Sequence, residues 1–250
     1  MYKIAEGKRF YFASDFHLGS PNHSKSLERE IVIVSWLDFI KSDAQAIFLV
    51  GDIFDFWFEY QKVVPKGFVR FLGKVAELSD MGIDIFLFCG NHDLWLDDYL
   101  EKELGVKILK DPVSIKIGKH TFYIGHGDGL GEGDHFFKLI KRVFTFPGCK
   151  WLFRWLHPDI GVWIANLWSA RSKANQRDAK QAQEESRLFK HCQRIQEKHH
   201  HDFYVLGHQH QHVRKRISDD ALYFNLGEWI KANTYLIYDG EKADLLHYRG

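Results

Sequence analysis

The chain has 250 residues, of which 45% are hydrophobic and 27% charged, so a disordered or low-complexity protein is excluded. The net charge of +1 argues against a surface built throughout to hold nucleic acid. The sequence contains no stretch of about 18 uncharged apolar residues, so we expect no transmembrane helix. The first ten residues do not resemble a signal peptide, and the three cysteines are far apart. We therefore expect a reducing, cytoplasmic location.

Short apolar runs alternate with helical patterns in the first ninety residues. The segments 10–13, 46–50 and 83–89 are rich in β-branched and aromatic residues and nearly free of charge, which predicts buried strands. Between them, 27–41 and 68–79 carry apolar residues at helical spacing. The order βαβαβ predicts a parallel sheet with crossover helices.

Six further short strand patterns, separated by tight turns, follow later in the chain. They predict a second sheet of mixed or antiparallel strands. No repeat and no Pro/Gly-rich linker divides the sequence, so we expect one domain over residues 1–250. The six patterns lie at 114–116, 121–125, 203–207, 222–225, 234–238 and 243–248.

Residues 133–200 differ from the rest of the chain in charge and aromatic content. They contain 13 Lys and Arg against 6 Asp and Glu, together with four of the eight tryptophans. This composition predicts a basic, aromatic helical element inserted in an acidic body. Interfacial helices carry the same mixture, which favours contact with acyl chains or a membrane surface. The alternative is that the aromatic residues only pack the insertion onto the body.

Polar clusters follow five of the predicted strands. Functional sites of open α/β sheets lie beyond the carboxyl ends of the strands, and glycines there allow sharp turns. Asp, Asn and His without cysteine are ligands suited to Mn²⁺, Fe or Zn²⁺. The sequence thus predicts a metal site, in which Asp52 on the middle strand could bridge two ions. The clusters contain Asp15 and His17, Asp52, Asn91 with His92 and Asp93, His126, and His208 with His210.

These segments resemble, in order, the motifs of the calcineurin-like metallophosphoesterase family. The resemblance spans nearly the whole chain and implies a mixed α/β fold, a four-layer αββα sandwich with a two-metal centre. The matching motifs are Asp15-x-His17, Gly51-Asp52, Gly90-Asn91-His92-Asp93, His126 and Gly207-His208-x-His210.

The resemblance implies a role for each matching residue. His92 corresponds to the family's phosphate-facing histidine, and Asp93 would orient its imidazole. Mn²⁺ is the usual metal of the family, with Fe and Zn²⁺ as alternatives. One ion would be held by Asp15, His17, Asp52 and His210, and the other by Asp52, Asn91, His126 and His208.

Longer matches, at 14–19, 51–57 and 126–128, resemble the branch of this family that hydrolyses UDP-2,3-diacylglucosamine in lipid A synthesis. That branch cleaves the diphosphate at the α-phosphorus, yields UMP and 2,3-diacylglucosamine 1-phosphate, and carries a helical cap where this chain has residues 133–200. This chain has His92 where the branch usually has arginine, so the resemblance leaves the exact substrate open. The substrate contacts that it implies are Asn91, His92, Asp134, Ser172, Asn175 and His208.

Two other functions remain open at this stage. A phosphodiesterase or nuclease of the same fold could act on a soluble nucleotide or hold nucleic acid on the basic insertion, although the insertion is more apolar than such a surface requires. A non-enzymatic scaffold would be expected to lack metal ligands, and all seven are present. We expect no nucleic acid partner and a peripheral position on the cytoplasmic face of the membrane.

Overall fold

The structure, a computed structural model, describes residues 1–133, 135–164 and 178–250. Two sheets and several helices account for most of this part of the chain. The strands are β1 (Arg9–Ala13), β2 (Ala44–Leu49), β3 (Asp84–Phe88), β4 (Lys107–Leu109), β5 (Val113–Ile117), β6 (His120–Gly125), β7 (Phe203–Leu206), β8 (His212–Ser218), β9 (Ala221–Leu226), β10 (Thr234–Tyr238) and β11 (Ala243–His247). The helices are α1 (His23–Ile40), α2 (Val69–Asp80), α3 (Tyr99–Leu104), α4 (His135–Thr145), α5 (Pro147–Arg154) and α6 (Asp178–Gln196), with a further helical segment at 158–164.

The first sheet has the strand order β11-β10-β1-β2-β3-β4. Strands β1, β2 and β3 are parallel, which confirms the predicted βαβαβ unit. Their register aligns Phe12 with Phe48 and Phe48 with Phe86, and the rings stack at centroid distances of 4.8 and 4.7 Å. The stacked rings form part of the core between the sheets.

The second sheet has the order β5-β6-β7-β9-β8, with β6, β7 and β9 parallel and the two outer strands antiparallel. A second, mixed sheet was predicted, but the assignment of 234–238 and 243–248 to it was wrong. Strand β10 instead pairs with β1 in the first sheet. There Leu236 faces the core between the sheets, while Tyr235 packs on Trp36 of α1. Burial on both faces suits a central strand.

Three apolar clusters separate four layers. One lies between the two sheets, one between the first sheet and helices α1 and α2, and one between the second sheet and α6. The αββα sandwich is therefore confirmed. Helix α6 contributes Leu188 and Cys192 to the third cluster, so its carboxyl-terminal half packs on the body. The boundaries of the proposed insertion, about 133–200, stay a prediction.

Helices α4 and α5 lie against the body through a small set of contacts. Phe153 packs on Phe58 and Trp95 at centroid distances of 4.7 Å, and Trp95 Nε1 donates to the Phe144 carbonyl at 2.8 Å. Lys141 pairs with the buried Asp128 at 2.5 Å. Throughout the described ranges, every helix is too short or too polar to cross a bilayer.

Candidate metal centre

The predicted ligands lie at the carboxyl ends of the strands in an unusual backbone conformation. Asp15, His17, Asp52, His208 and His210 all have φ between +45° and +74°. Residues other than glycine rarely adopt this left-handed backbone conformation, which costs roughly 1–3 kcal/mol per residue. Such strain accumulates where the surrounding structure holds residues for function. The strain thus marks the same edge of the sandwich that the motifs indicate.

Two glycines act by leaving space next to these residues. A Cβ on Gly51 would lie 2.5 Å from His126 Nδ1, and one on Gly90 would collide with the carboxylate of Asp52. Gly51 also has φ of +83°, whereas Gly90 needs no left-handed turn. The glycine of the Gly-Asn-His-Asp motif is required for this close approach.

Four of the predicted ligands form one group. Asp15, His17, Asp52 and His210 each offer an atom within 4.8 Å of the others. His17 Nε2 lies 3.0 Å from His210 Nε2, and His210 Nε2 lies 3.2 Å from Asp15 Oδ1. Two ring nitrogens that face each other beside a carboxylate are the geometry expected of ligands that share a cation.

A second group contains Asp52, His126 and His208, again within 4.8 Å, so Asp52 belongs to both groups. His126 Nε2 lies 3.3 Å from Asp52 Oδ2 but is not aligned to hydrogen-bond with it. Asn91 Oδ1 is buried and has no hydrogen-bond partner among the described residues. Buried polar atoms without partners are costly, and a divalent cation would satisfy both of these. The donor set therefore fits a divalent metal.

The atoms facing away from the two groups are already occupied. His126 Nδ1 lies 2.9 Å from the Val50 carbonyl, and His17 Nδ1 lies 3.2 Å from Asp55. Asp15 Oδ2 accepts from Ser14 Oγ and from the amide of His208. Such contacts direct Nε2 of each histidine and the second oxygen of Asp15 inward.

His92 lies beside the first group, with its ring centroid 4.8 Å from that of His17. The prediction that Asp93 orients His92 was wrong. Asp93 is buried and accepts from the amides of Ile53, Phe54 and Gly90, so it braces the loop. The groups next to His92 Nδ1 belong to Asp55, whose carbonyl lies at 3.1 Å and carboxylate at 3.6 Å.

Asp55 was missed as a site residue, although it lies within the matched segment 51–57 and follows Asp52 by three residues. Asp134, Ser172 and Asn175, the remaining predicted substrate contacts, lie outside the described residues. Of the described members of that set, His208 belongs to the second group and His92 lies beside the first. Asn91 lies on the loop whose His92 amide donates to Asp52 Oδ1.

The buried carboxylates and imidazoles of the centre shift one another's pKa values. Burial disfavours ionisation of Asp52, but His126 and the other nearby imidazoles outweigh burial and hold its pKa well below the usual range. Burial opposes protonation of His126 too, yet Asp52 raises the pKa of His126 to about 10. His208 is different, because burial and the charge of His126 lower its pKa to about 4. Burial and the charge of Asp52 raise the pKa of Asp93 to about 7.

Metal binding is expected to release a proton. With a pKa of about 10, His126 is protonated at neutral pH in the metal-free protein, whereas a ligating imidazole is neutral. The affinity for Mn²⁺ should therefore rise by up to about tenfold per pH unit below that pKa. Titration calorimetry in buffers of different ionisation enthalpy should give at least about one proton released per chain, because burial opposes protonation of His210 but Asp15 still raises its pKa. A heat that is the same in all buffers would contradict His126 as a ligand.

Comparisons with known proteins show which family this chain resembles. The family model for calcineurin-like phosphoesterase matches residues 8–212. A Porphyromonas gingivalis protein named UDP-2,3-diacylglucosamine hydrolase is 36% identical over 247 residues, which cover 93% of this chain and 94% of that protein. An Actinobacillus succinogenes protein of the same name is 24% identical over 220 residues, which cover 88% and 91%. A solved phosphoesterase from E. coli aligns over 94% of this chain and 90% of that chain, with 16% identity and a TM-score of 0.43. The chain belongs to the calcineurin-like phosphoesterase family and is a metal-dependent hydrolase.

Proposed function

We propose that this chain hydrolyses the diphosphate of UDP-2,3-diacylglucosamine to UMP and 2,3-diacylglucosamine 1-phosphate at a membrane surface. The observation that carries the proposal is the 36% identity to a relative of that name over nearly the full length of both chains. The metal-ligand groups and the aromatic cap support it independently, since such a substrate needs both a phosphoryl-transfer site and an apolar surface.

We infer that the centre holds two divalent ions, most suitably Mn²⁺. Asp15, His17, Asp52 and His210 would hold one ion, and Asp52, Asn91, His126 and His208 would hold the other. When bound, such ions neutralise phosphoryl oxygens and make water a better nucleophile. The donors of this site are oxygen and imidazole nitrogen, without thiolate, which also suits Fe and Zn²⁺.

His92 is proposed to act on the phosphoryl group. Its ring is half-buried next to the first ligand group, and Nδ1 faces the Asp55 carbonyl and carboxylate. With one proton held at Nδ1 by these oxygens, Nε2 would donate to a phosphoryl or leaving-group oxygen when the imidazole carries a second proton there. Asp93 supports this role indirectly, because it fixes the backbone that carries His92.

The aromatic residues of the cap divide into two sets. Phe144 and Phe153 lie on the body side, in contact with Trp95. Trp151, Trp155 and Trp163 are 58%, 75% and 62% exposed. Each buried methylene contributes about 0.8 kcal/mol, so an apolar surface of this kind would bind long acyl chains or a bilayer strongly. We propose that the exposed set holds the acyl chains and places the enzyme on the cytoplasmic face of the membrane. Asp134, Ser172 and Asn175 remain proposed substrate contacts.

Release of UMP from UDP-2,3-diacylglucosamine by the purified protein with Mn²⁺ tests the proposed substrate. UDP-N-acetylglucosamine is the matched control, because it has the same diphosphate but no long acyl chains. We expect UMP from the lipid substrate and a rate at least about 10²-fold lower with the control, since the energy of acyl-chain burial is lost. Equal rates on the two substrates would favour a phosphodiesterase that acts on soluble nucleotides.

Truncation of an exposed cap tryptophan should affect only the lipid substrate. Trp155→Ala is expected to lower kcat/KM for UDP-2,3-diacylglucosamine by about tenfold, as expected for the loss of about 1.4 kcal/mol of apolar contact. Hydrolysis of bis-p-nitrophenyl phosphate should stay at the wild-type rate. Phe153→Ala removes a side chain that packs on Phe58 and Trp95 of the body. It should therefore lower the melting temperature, in addition to lowering activity on the lipid substrate. Unchanged lipid kinetics in Trp155→Ala would contradict an acyl-chain or membrane role for this surface.

A further inference from the structure

The loop that carries His208 and His210 directs alternate side chains to opposite sides. Both histidines face the metal-ligand groups and have left-handed φ values of +74° and +54°. Gln209, between them, is 2% exposed and faces the interior. The conformation is strained at both ligands, so something in the interior must hold the loop in place.

The Asp15–His17 loop has the same arrangement with a different interior residue. Asp15 and His17 are also left-handed, and the inward residue between them is Phe16. Its ring packs on Trp36 and Trp229 at centroid distances of 6.4 and 5.3 Å. Apolar packing alone therefore suffices to support one loop of this shape. The polar residue in the second loop calls for a separate explanation.

Gln209 is held by a buried polar network. Asn225, at the end of β9, is fully buried, and its Nδ2 donates to the Gly207 carbonyl at 2.7 Å. The same Nδ2 lies 3.3 Å from Gln209 Oε1, and the Tyr223 hydroxyl donates to that oxygen at 3.4 Å. Asn225 thus contacts the loop at two points, directly before His208 and directly before His210.

The register of the second sheet explains why this residue reaches the loop. Asn225 pairs with Leu206 across the parallel strands β7 and β9, one residue before Gly207. Its neighbour Phe224 faces the core between the sheets, so Asn225 faces outward beneath the loop. A buried amide costs free energy unless it is bonded. The bonds of Asn225 Nδ2 go to the loop and to Tyr223, while Oδ1 has no partner among the described residues.

We propose that Asn225 is a positioning residue that holds His208 and His210 in their ligand conformations. The inference rests on the proposed metal centre, in which these two histidines serve different ions. Loss of the amide would leave the Gly207 carbonyl with only the Gln209 amide as donor and Gln209 Oε1 with only the Tyr223 hydroxyl, so both contacts to the loop would weaken together. Both left-handed ligands would then relax, and the affinity for both ions would fall.

Titration calorimetry with Mn²⁺ on the metal-free full chain tests this role. Asn225→Leu keeps the branched shape of the side chain and removes the donor. We expect its Mn²⁺ affinity to fall by about 10–100-fold, the range for residues that orient metal ligands. Tyr238→Phe is the matched control. It removes a buried hydroxyl bonded to His120 and the Gly240 carbonyl, at the opposite end of the first sheet, and should bind Mn²⁺ like wild type. At saturating Mn²⁺, the electron paramagnetic resonance spectrum should change in Asn225→Leu and not in Tyr238→Phe.

The outcomes separate the inference from the proposed function. If wild-type protein binds no Mn²⁺, the metal centre itself is wrong. If wild type binds and Asn225→Leu binds equally well with an unchanged spectrum, the positioning role is overturned. If Asn225→Leu does not fold, Asn225→Ala decides, because it removes the same Nδ2 donor from the Gly207 carbonyl and from Gln209 Oε1 without adding bulk. A wild-type affinity and spectrum in Asn225→Ala would then contradict the inference.

Discussion

Replacement of Asp52 by asparagine is expected to abolish hydrolysis, with a fall in rate of roughly 10³-fold or more. Asp52 is the one residue that belongs to both ligand groups, so the loss of its charge weakens both proposed metal positions at once. Charge stabilisation worth several kcal/mol depends on those ions, and each 1.4 kcal/mol is a tenfold change in rate. Turnover of bis-p-nitrophenyl phosphate and metal content by mass spectrometry are the measurements.

Asp38→Asn is the matched control for this substitution. Asp38 lies on α1, where it pairs with Lys41 and Lys74 at the surface, so its loss removes one carboxylate without contact with the site. Surface ion pairs contribute little to stability, and we expect wild-type activity. Wild-type turnover together with wild-type metal content in Asp52→Asn would show that the ligand assignment is wrong.

Replacement of His92 by alanine is expected to lower turnover by about 10²–10⁴-fold and to leave the metals bound. This is the range for a lost acid–base group. His92 Nδ1 faces oxygens of Asp55. His17, Asp55 and His92 also offer atoms within 4.8 Å of one another, but neither Asp55 nor His92 is among the proposed ligands. The metal content of His92→Ala therefore shows whether His92 acts on the substrate or coordinates an ion. Loss of metal in His92→Ala would mean that this histidine coordinates an ion.

Asp55→Asn provides the companion measurement. The Asp55 carboxylate lies 3.2 Å from His17 Nδ1 and 3.6 Å from His92 Nδ1, so it contacts a proposed ligand and the proposed catalytic imidazole. If the carboxylate orients His92, Asp55→Asn and His92→Ala combined should cost less than the product of their separate effects. Multiplicative effects would indicate that Asp55 acts only through His17.

The positions of the proposed ligands were predictable because each lies at the end of a short apolar run. Periodicity located β1, β2 and β3, and the parallel arrangement brings their carboxyl ends to one edge. Strand β4 has three residues and β8 (HVRKRIS) is charged and exposed, so neither carries the apolar pattern of a buried strand. Membership of β10 in the first sheet depends on long-range pairing that a local pattern does not contain.

Side-chain direction within the site was harder to predict. The Gly-Asn-His-Asp motif places Asp93 next to His92 in sequence, but the turn directs its carboxylate to the amides of Ile53 and Phe54. The left-handed conformations of Asp15, His17, Asp52, His208 and His210 are equally a product of tertiary contacts. Composition predicted an aromatic cap, but it could not tell which aromatic residues face the body. The structure shows that Phe153 packs on Phe58, whereas Trp155 is exposed.

Hydrolysis of UDP-2,3-diacylglucosamine in ¹⁸O-labelled water, with mass analysis of both products, tests the central claim most directly. Attack at the α-phosphorus by water predicts UMP that carries one ¹⁸O and 2,3-diacylglucosamine 1-phosphate that carries none. The reaction should stop when the metals are removed by a chelator and resume with added Mn²⁺. Label in the lipid phosphate, UDP as the product, or no cleavage by the metal-loaded protein would contradict the proposed reaction.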